Sequence, residues 1–244
     1  KVKELLAKQE RLVVILNTPA HNPTGYAMDE DDWKAVSNIL GKTEKGKKIA
    51  LVADVAYIDF AGEEEESRMF LPFLEKMPDN VLVLVAHSLS KSYTLYGMRC
   101  GALICMAKTR EIAEEFKSVC EFSSRGSWSN CARAPQVILQ KIYEDDRLLQ
   151  KVMEERKNCR DMLLKRGAAF KKAAEEAGLE MVPFRGGFFA TVPCETPDKV
   201  SAQLETMGIF TVPFTKGIRV SLASVKEEKC RELPKAIKEA IKSK

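Results

Sequence analysis

Four short apolar runs, each closed by polar side chains and separated by stretches with helical spacing, constrain this chain more than any other feature. They are RLVVIL at 11–16, IALVA at 49–53, VLVLVA at 81–86 and GALICMA at 101–107. Runs this short, rich in Val, Ile and Leu and bounded by Asn, Pro, Gly and Ser, read as strands. VLVLVA is apolar at every position, which implies a strand buried on both faces. Between the runs, Asp29 to Asp32 supply acidic charge at the start of a helix through WKAVSNIL. A second helix is expected through SRMFLPFLEKM, with Pro72 near its first turn, and a third over 109–120. The four acids Glu63 to Glu66 read as a solvated loop or helix start. Strands alternating with helices predict an α/β sheet covered on both faces.

Beyond Lys108 the pattern changes. SSRGSWSN at 123–130 reads as an irregular loop. From Asp146 to Ala177, apolar residues recur at 148/149, 152/153, 159, 162/163, 169/170 and 173/174, a helical period that Gly178 stops. A helix of that length commonly bridges two lobes. Short strands within VPFRGGFFATV, IFTVPF and IRVSLA then alternate with helices in DKVSAQLETM and KEEKCRELPKAIKEAIK, the pattern of a smaller α+β domain. The expected division is residues 1–145 and 146–244.

Composition narrows the partners. Of 244 residues, 45% are apolar and 30% charged, the balance of a soluble globular protein. A net charge of +4 gives no case for nucleic acid or an acidic membrane as partner. No apolar run reaches the roughly 18–20 residues of a membrane helix, and KVKELLAKQER lacks the apolar core of a signal peptide. The absence of an initiator Met suggests a processed or cloned piece. Seven cysteines without a CxxC read as free thiols in a reducing cytoplasm. Two histidines in separate segments leave little for a metal site or a Ser-His-Asp triad, so no metal is expected.

The residues with chemistry sit at the C-terminal ends of the runs, the edge where open α/β sheets bind ligands. Asn22 follows the first, Asp54 and Tyr57 the second, and Ser88, Ser90 and Lys91 the third. Arg99, eight residues after Lys91, opens the next run and can return to the same rim. An amine for a Schiff base, a carboxylate for a pyridinium, and Arg with Ser for a phosphate are the set a pyridoxal phosphate site needs.

AHNPTG, ADVAYIDF, SLSKSYTLYGMRCG and IRVSLAS, in this order, resemble the class I/II aminotransferases of the fold-type I pyridoxal-phosphate enzymes, over essentially the whole chain. The resemblance implies a three-layer sheet of the large cofactor-binding domain, present in part, followed by the small α+β domain. It implies that Lys91 holds the cofactor as a Schiff base and then acts as acid and base. Asp54 would pair with the pyridinium nitrogen. Tyr57 and Asn22 would hydrogen-bond the phenolic oxygen. Ser88 and Arg99 would bind the phosphate, with Ser90 either joining them or capping the turn. Arg219 would clamp the substrate α-carboxylate, with Asn22 beside it, and Phe188 and Phe189 would either wall the pocket or pack the core. In the aspartate-type branch a similar loop, with Arg four residues before Ser-Asn, reaches the neighbouring subunit. Arg125 before Ser129–Asn130 would then bind a distal carboxylate, while the intervening Gly126, Ser127 and Trp128 leave room for aromatic substrates. The implied protein is a cytoplasmic homodimer acting on amino acids and 2-oxo acids. A β-lyase on the same scaffold, a pyridoxal-phosphate-sensing effector domain of a transcription regulator and an inactive fragment are the competing readings. Members of this family extend further on the N-terminal side, where a Gly-rich loop cradles the phosphate. The chain therefore reads as a C-terminal portion, expected to bind the cofactor poorly when alone.

Overall fold

The computed structural model describes residues 1–43 and 46–243. They form two compact units, one made of Lys1–Thr18, Met28–Ala56 and Glu65–Met153, the other of Pro19–Ala27, Tyr57–Glu64 and Glu154–Lys244.

The first unit holds α1 (Val2–Leu6), β1 (Arg11–Asn17), α2 (Glu30–Gly41), β2 (Lys48–Asp54), α3 (Glu64–Arg68), α4 (Leu71–Glu75), β3 (Val81–Ser88), α5 (Leu89–Ser92), β4 (Gly101–Met106), α6 (Arg110–Ser127) and α7 (Arg133–Glu144). The sheet order is β1-β2-β3-β4, with β1, β2 and β3 parallel and β4 antiparallel. Asp29 caps α2 through a reciprocal box: its side chain accepts from Asp32 N, and the Asp32 carboxylate accepts from Asp29 N. Ile49, Leu51 and Ala53 of β2, with Val81 and Val83 of β3, are buried. So are Trp33, Leu40, Phe70, Leu74 and Met77 from α2, α4 and their flanks, with Trp33 stacked on Phe70 at 5.7 Å between ring centroids.

Three expectations change. The single helix through 67–77 is two, α3 and α4, because Pro72 has no N–H to give a preceding turn; a restart at Leu71 places it in the first turn, where that donor is not needed. The helix expected over 109–120 continues to Ser127, so most of the segment read as an irregular loop is helical. The sheet is not covered on both faces. Val13 and Ile15 of β1, on the face opposite buried Leu12, Ile49 and Leu51, are 62% and 67% exposed, and residues 101–104 of β4 are exposed.

The helix α8 (Asp146–Glu176) runs out of the first unit at Met153 and into the second at Glu154, and Gly178, with φ +59°, ends it. The second unit continues with β5 (Phe189–Pro193), α9 (Pro197–Glu205), β6 (Val212–Phe214), β7 (Gly217–Ser221) and α10 (Glu227–Lys242). Its antiparallel sheet has the order β5-β7-β6. Phe170, Val192, Leu204, Ile218, Leu222 and Ile237 are fully buried around it. Phe170→Ala removes the largest of these side chains and leaves a cavity, so the urea midpoint of the second unit should fall by an amount worth about 3–5 kcal/mol, measured by equilibrium unfolding with a probe confined to that unit.

Candidate active site

In the first unit, parallel pairing aligns Asn17, Asp54 and Ala86 across the end of the sheet. Asp54 is held from both sides of its peptide. Its carbonyl accepts from Thr18 N and from Asn17 Nδ2, both at 3.1 Å, and its Oδ1 accepts from Ala56 N at 3.1 Å. This fixes a half-buried carboxylate at the strand end. Two residues past Ala86, Ser88 caps the short helix α5, its Oγ accepting from Ser90 N at 3.3 Å. Lys91 lies on α5, half-buried, with Nζ 5.2 Å from the centroid of the Tyr96 ring. Burial raises the Tyr96 phenol above its ordinary range. Arg99 donates from Nη1 to Tyr96 O at 2.8 Å and to Ser90 Oγ at 3.4 Å. The structure thus gathers two hydroxyls, an amine and a guanidinium on one short connection between β3 and β4.

The second unit gathers a different set. Arg219 on β7 donates from Nη1 to Asn22 Oδ1 at 3.0 Å. Its guanidinium carbon lies 4.3 Å from the centroid of the Phe189 ring, and its Nε is buried with no hydrogen-bond partner. Tyr57 is buried edge-on to Phe188 and Phe189, at 5.3 and 6.0 Å between centroids. The Asn22 segment is held by backbone: Gly25 O accepts from Arg185 N at 2.9 Å, and Pro23 O accepts from Thr191 Oγ1 at 2.9 Å. Gly25 has φ +72°, and a Cβ there would meet Phe189 O at 2.5 Å, so only glycine fits this turn of the AHNPTG motif. His21 Nδ1 is 2.8 Å from Thr24 Oγ1, and burial lowers the imidazole below its ordinary range.

Four described non-glycine residues have positive φ: Ala20, Thr94, Arg99 and Ser129. Ala20 sits two residues before Asn22, Thr94 three after Lys91, Arg99 is itself a candidate, and Ser129 lies four after Arg125. Strain of order 1–3 kcal/mol per residue, confined to the candidate segments, is what a preorganised site displays. Arg125 is placed differently from the expectation. It is an exposed residue of the last turn of α6, and it donates to Ser129 Oγ beyond the helix end, not from an irregular loop. Asn17 and Tyr96 join the candidates only through the fold. Asn17 acts on a main-chain carbonyl, and Tyr96 opens a three-residue 3₁₀ turn, Tyr-Gly-Met, too short for any periodicity to flag it. The described residues contain no group of three or more His, Cys, Asp or Glu able to hold a metal.

Residues 1–237 match the profile of the family described as aminotransferase class I and II. Among curated proteins, the chain is 33% identical over 152 residues to an aromatic-amino-acid aminotransferase of Pseudomonas aeruginosa, covering 60% of this chain and 36% of that protein. It is 27% identical over 245 residues to an aspartate aminotransferase of the same organism, covering 98% and 59%. Among solved structures, an aminotransferase from Anaerococcus prevotii superposes with a TM-score of 0.94 at 37% identity, covering 98% of this chain and 59% of that one. An aromatic-amino-acid aminotransferase from Burkholderia pseudomallei, covalently bound to pyridoxal phosphate, shares the fold at 23% identity and TM-score 0.76, covering 94% and 56%. The chain spans about three-fifths of the length of the relatives it matches along its whole course.

The lowered His21 imidazole has a consequence for stability. A histidine whose pKa is depressed by folding favours the native state fully above the unfolded value of 6.5, and that contribution is lost as pH falls toward the native value. Thermal melts between pH 8 and pH 5 should therefore show a decline beginning near 6.5, and His21→Gln should flatten it.

Proposed function

Because the chain belongs to the class I and II aminotransferase family, we propose that the protein carrying it transfers an amino group from an amino acid to a 2-oxo acid with pyridoxal phosphate. The observation that carries this reading is the group on the β3–β4 connection: Lys91 on α5, with Ser88, Ser90 and Arg99 beside it, one strand from the fixed carboxylate of Asp54. The donor set fits the cofactor. A phosphate dianion takes hydroxyl donors and a guanidinium, a pyridine nitrogen takes a carboxylate, and an aldehyde takes a primary amine. When bound, the cofactor supplies an electron sink that stabilises negative charge at the substrate Cα. A Burkholderia relative of the same fold carries it covalently, which supports the assignment.

Each residue then has a task its chemistry suits. Lys91 is the attachment point, and its freed Nζ takes the proton from the substrate Cα. Asp54, held by Ala56 N, Thr18 N and Asn17, keeps a proton on the ring nitrogen. Ser88, Ser90 and Arg99 hold the phosphate. Tyr57 and Asn22 hydrogen-bond the phenolic oxygen, with Asn22 also beside the substrate. Arg219 keeps one donor on Asn22 and has a free Nε edge for the α-carboxylate. Phe188 and Phe189 support Tyr57, and Phe189 stacks on the Arg219 guanidinium. The division expected from the sequence, residues 1–145 as the cofactor half and 146–244 as the small domain, is kept as part of this proposal, although Asn22 and Tyr57 belong to the second compact unit and the first unit extends to Met153. Arg125 serves the distal carboxylate of aspartate or glutamate across a homodimer interface, where its exposure and its position beside strained Ser129 leave it available. Arg219 favours this reading over a β-lyase only together with Arg125, since elimination substrates seldom need a second arginine. Seven free cysteines support a cytoplasmic location. None of the described helices is long and apolar enough to cross a membrane.

Borohydride reduction of the protein with bound cofactor, followed by peptide mapping, should place the pyridoxyl group on Lys91; a label on another lysine removes Lys91 from the role. Asp54→Asn should cost on the order of 3 kcal/mol in the barrier, a hundredfold or more in kcat, while the cofactor stays bound. Arg125→Ala should raise KM and lower kcat/KM for aspartate by about a hundredfold or more and leave tyrosine turnover within a few-fold, since only the dicarboxylate loses a charged partner. Equal losses for both substrates would make Arg125 structural.

A further inference from the structure

The two faces of the small sheet in the second unit differ. Alternation along β5 and β7 puts Ala190, Val192, Ile218 and Val220 on the core side, all of them buried. The other side carries Phe189 and Thr191 of β5 with Arg219 of β7, and Thr191 stands directly opposite Arg219 in the register. Thr191 is only 3% exposed. Its Oγ1 donates to Pro23 O at 2.9 Å, and its own carbonyl accepts from Val182 N at 3.0 Å. This buried hydroxyl has no part in the chemistry proposed above. Pro23 follows Asn22, whose Oδ1 accepts from Arg219 Nη1 at 3.0 Å. A guanidinium has donors only, so the amide must present its oxygen to Arg219 and turns its Nδ2 donors elsewhere. Thr191 and Arg219 thus reach one dipeptide from neighbouring strands: the first holds its main chain, the second its side chain.

We infer that Thr191 is a positioning residue for the substrate α-carboxylate. Its hydroxyl fixes the Pro23 carbonyl, the fixed main chain sets the Asn22 amide, and the amide holds the Arg219 guanidinium in the plane a carboxylate approaches. The inference rests on the reading of Arg219 as the α-carboxylate site. Without the hydroxyl, the Pro23 carbonyl loses this donor and the Asn22 side chain is free to turn. The guanidinium then keeps its stack on Phe189, at 4.3 Å from the ring centroid, but loses the bond that fixes its rotation in that plane. Amino acids and 2-oxo acids share the α-carboxylate, so Thr191 acts on every substrate of both half-reactions. Arg125, by contrast, serves only substrates with a distal carboxylate.

The test compares Thr191→Val, which keeps the shape and removes the donor, with Thr191→Ser, which keeps the donor. Ile237→Val, in the same core cluster, loosens the unit without touching the turn, and Arg219→Gln removes the charged fork. In the 244-residue chain, nitrogen-15 NMR follows the Arg219 Nε–H signal, assigned by its loss in Arg219→Gln; this Nε is buried, so it exchanges slowly with water. Thr191→Val should speed that exchange at least about tenfold, while Thr191→Ser and Ile237→Val stay within about twofold of the parent. In the protein with bound cofactor, Thr191→Val should raise KM about tenfold for aspartate, tyrosine and 2-oxoglutarate alike and leave kcat within about threefold. Thr191→Ser should restore KM, and Ile237→Val should not move it. An Nε–H signal unchanged in Thr191→Val, a serine that fails to rescue, or an equal effect from Ile237→Val overturns the inference. So does a KM that Arg219→Gln raises and Thr191→Val does not, and in that case the proposed function stands. If Arg219→Gln itself leaves KM unchanged for every amino acid, Arg219 is not the carboxylate site, and its assigned role falls together with the inference.

Discussion

The parallel register of β1, β2 and β3 is the constraint on which the candidate chemistry of the first unit depends. Ile49, Leu51 and Ala53 are buried under the α2 and α4 layer, so Ala50, Val52 and Asp54 must face the other way. A slip of one residue in β2 would turn the carboxylate into the helix-covered core and three aliphatic side chains out of it. The burial of three apolar residues therefore decides where an acid stands. Hydrogen bonds then fix how it stands: Asn17 and Thr18 hold the carbonyl of Asp54, and Ala56 N holds its carboxylate.

The reversal between β3 and β4 follows from a different constraint. A parallel return needs a crossover of a dozen residues or more, usually through a helix. The chain instead comes back within the residues between Ser88 and Gly101, which pair directly in the antiparallel ladder. That short connection holds a four-residue helix, a 3₁₀ turn and two left-handed residues, Thr94 and Arg99. Arg99 reaches Ser90 because β4 begins beside the end of β3. Had β4 been parallel, its first residue would lie at the opposite edge of the sheet, and the arginine eight positions after Lys91 would be a strand length away.

The strands and the long helix were legible in sequence because their periodicities are local: VLVLVA needs no partner to read as a strand, and the recurrence through 148–174 needs none to read as a helix. Motifs singled out Lys91, Asp54 and Arg219 as candidates, but not what holds them. Asn17 acts on a carbonyl, which no residue pattern marks. Tyr96 meets Lys91 only because a 3₁₀ turn brings it back. Arg219 and Asn22 are 197 positions apart, so each could be singled out while the bond between them awaited the fold. The extent of α6 misled because Gly126 and four serines have weak helix propensity, yet the helix runs through them to Ser127. Coverage of the sheet misled for a plainer reason: apolar alternation says that a face wants burial, not which residues bury it.

Arg219 shows how a few contacts turn a flexible cation into a directed one. Antiparallel pairing with Thr191 and Val212 on either side places its backbone in the middle strand of the small sheet. The Phe189 ring at 4.3 Å sets the plane of the guanidinium, and Asn22 occupies one terminal nitrogen. Burial of Nε without a partner costs free energy in the free protein. A carboxylate that docks against this fork recovers that cost and pays little rotamer entropy, because the stack and the asparagine have already restricted the side chain. A lysine at 219 would keep the charge and lose the plane, the second donor and the stacking. Phe189 in turn touches Tyr57 and Phe188, so one aromatic cluster orients both the cation and the phenol. The chain passes from the first unit to the second between Thr18 and Pro19 and between Ala56 and Tyr57. Asn22 and Tyr57 follow those crossings closely, and Asp54 lies two residues before Ala56, the last residue ahead of one. Residues that must keep their geometry while the chain changes units need such local anchoring, and the tight Gly25 turn, the Asp54 clamp and the aromatic cluster each provide it within its own unit.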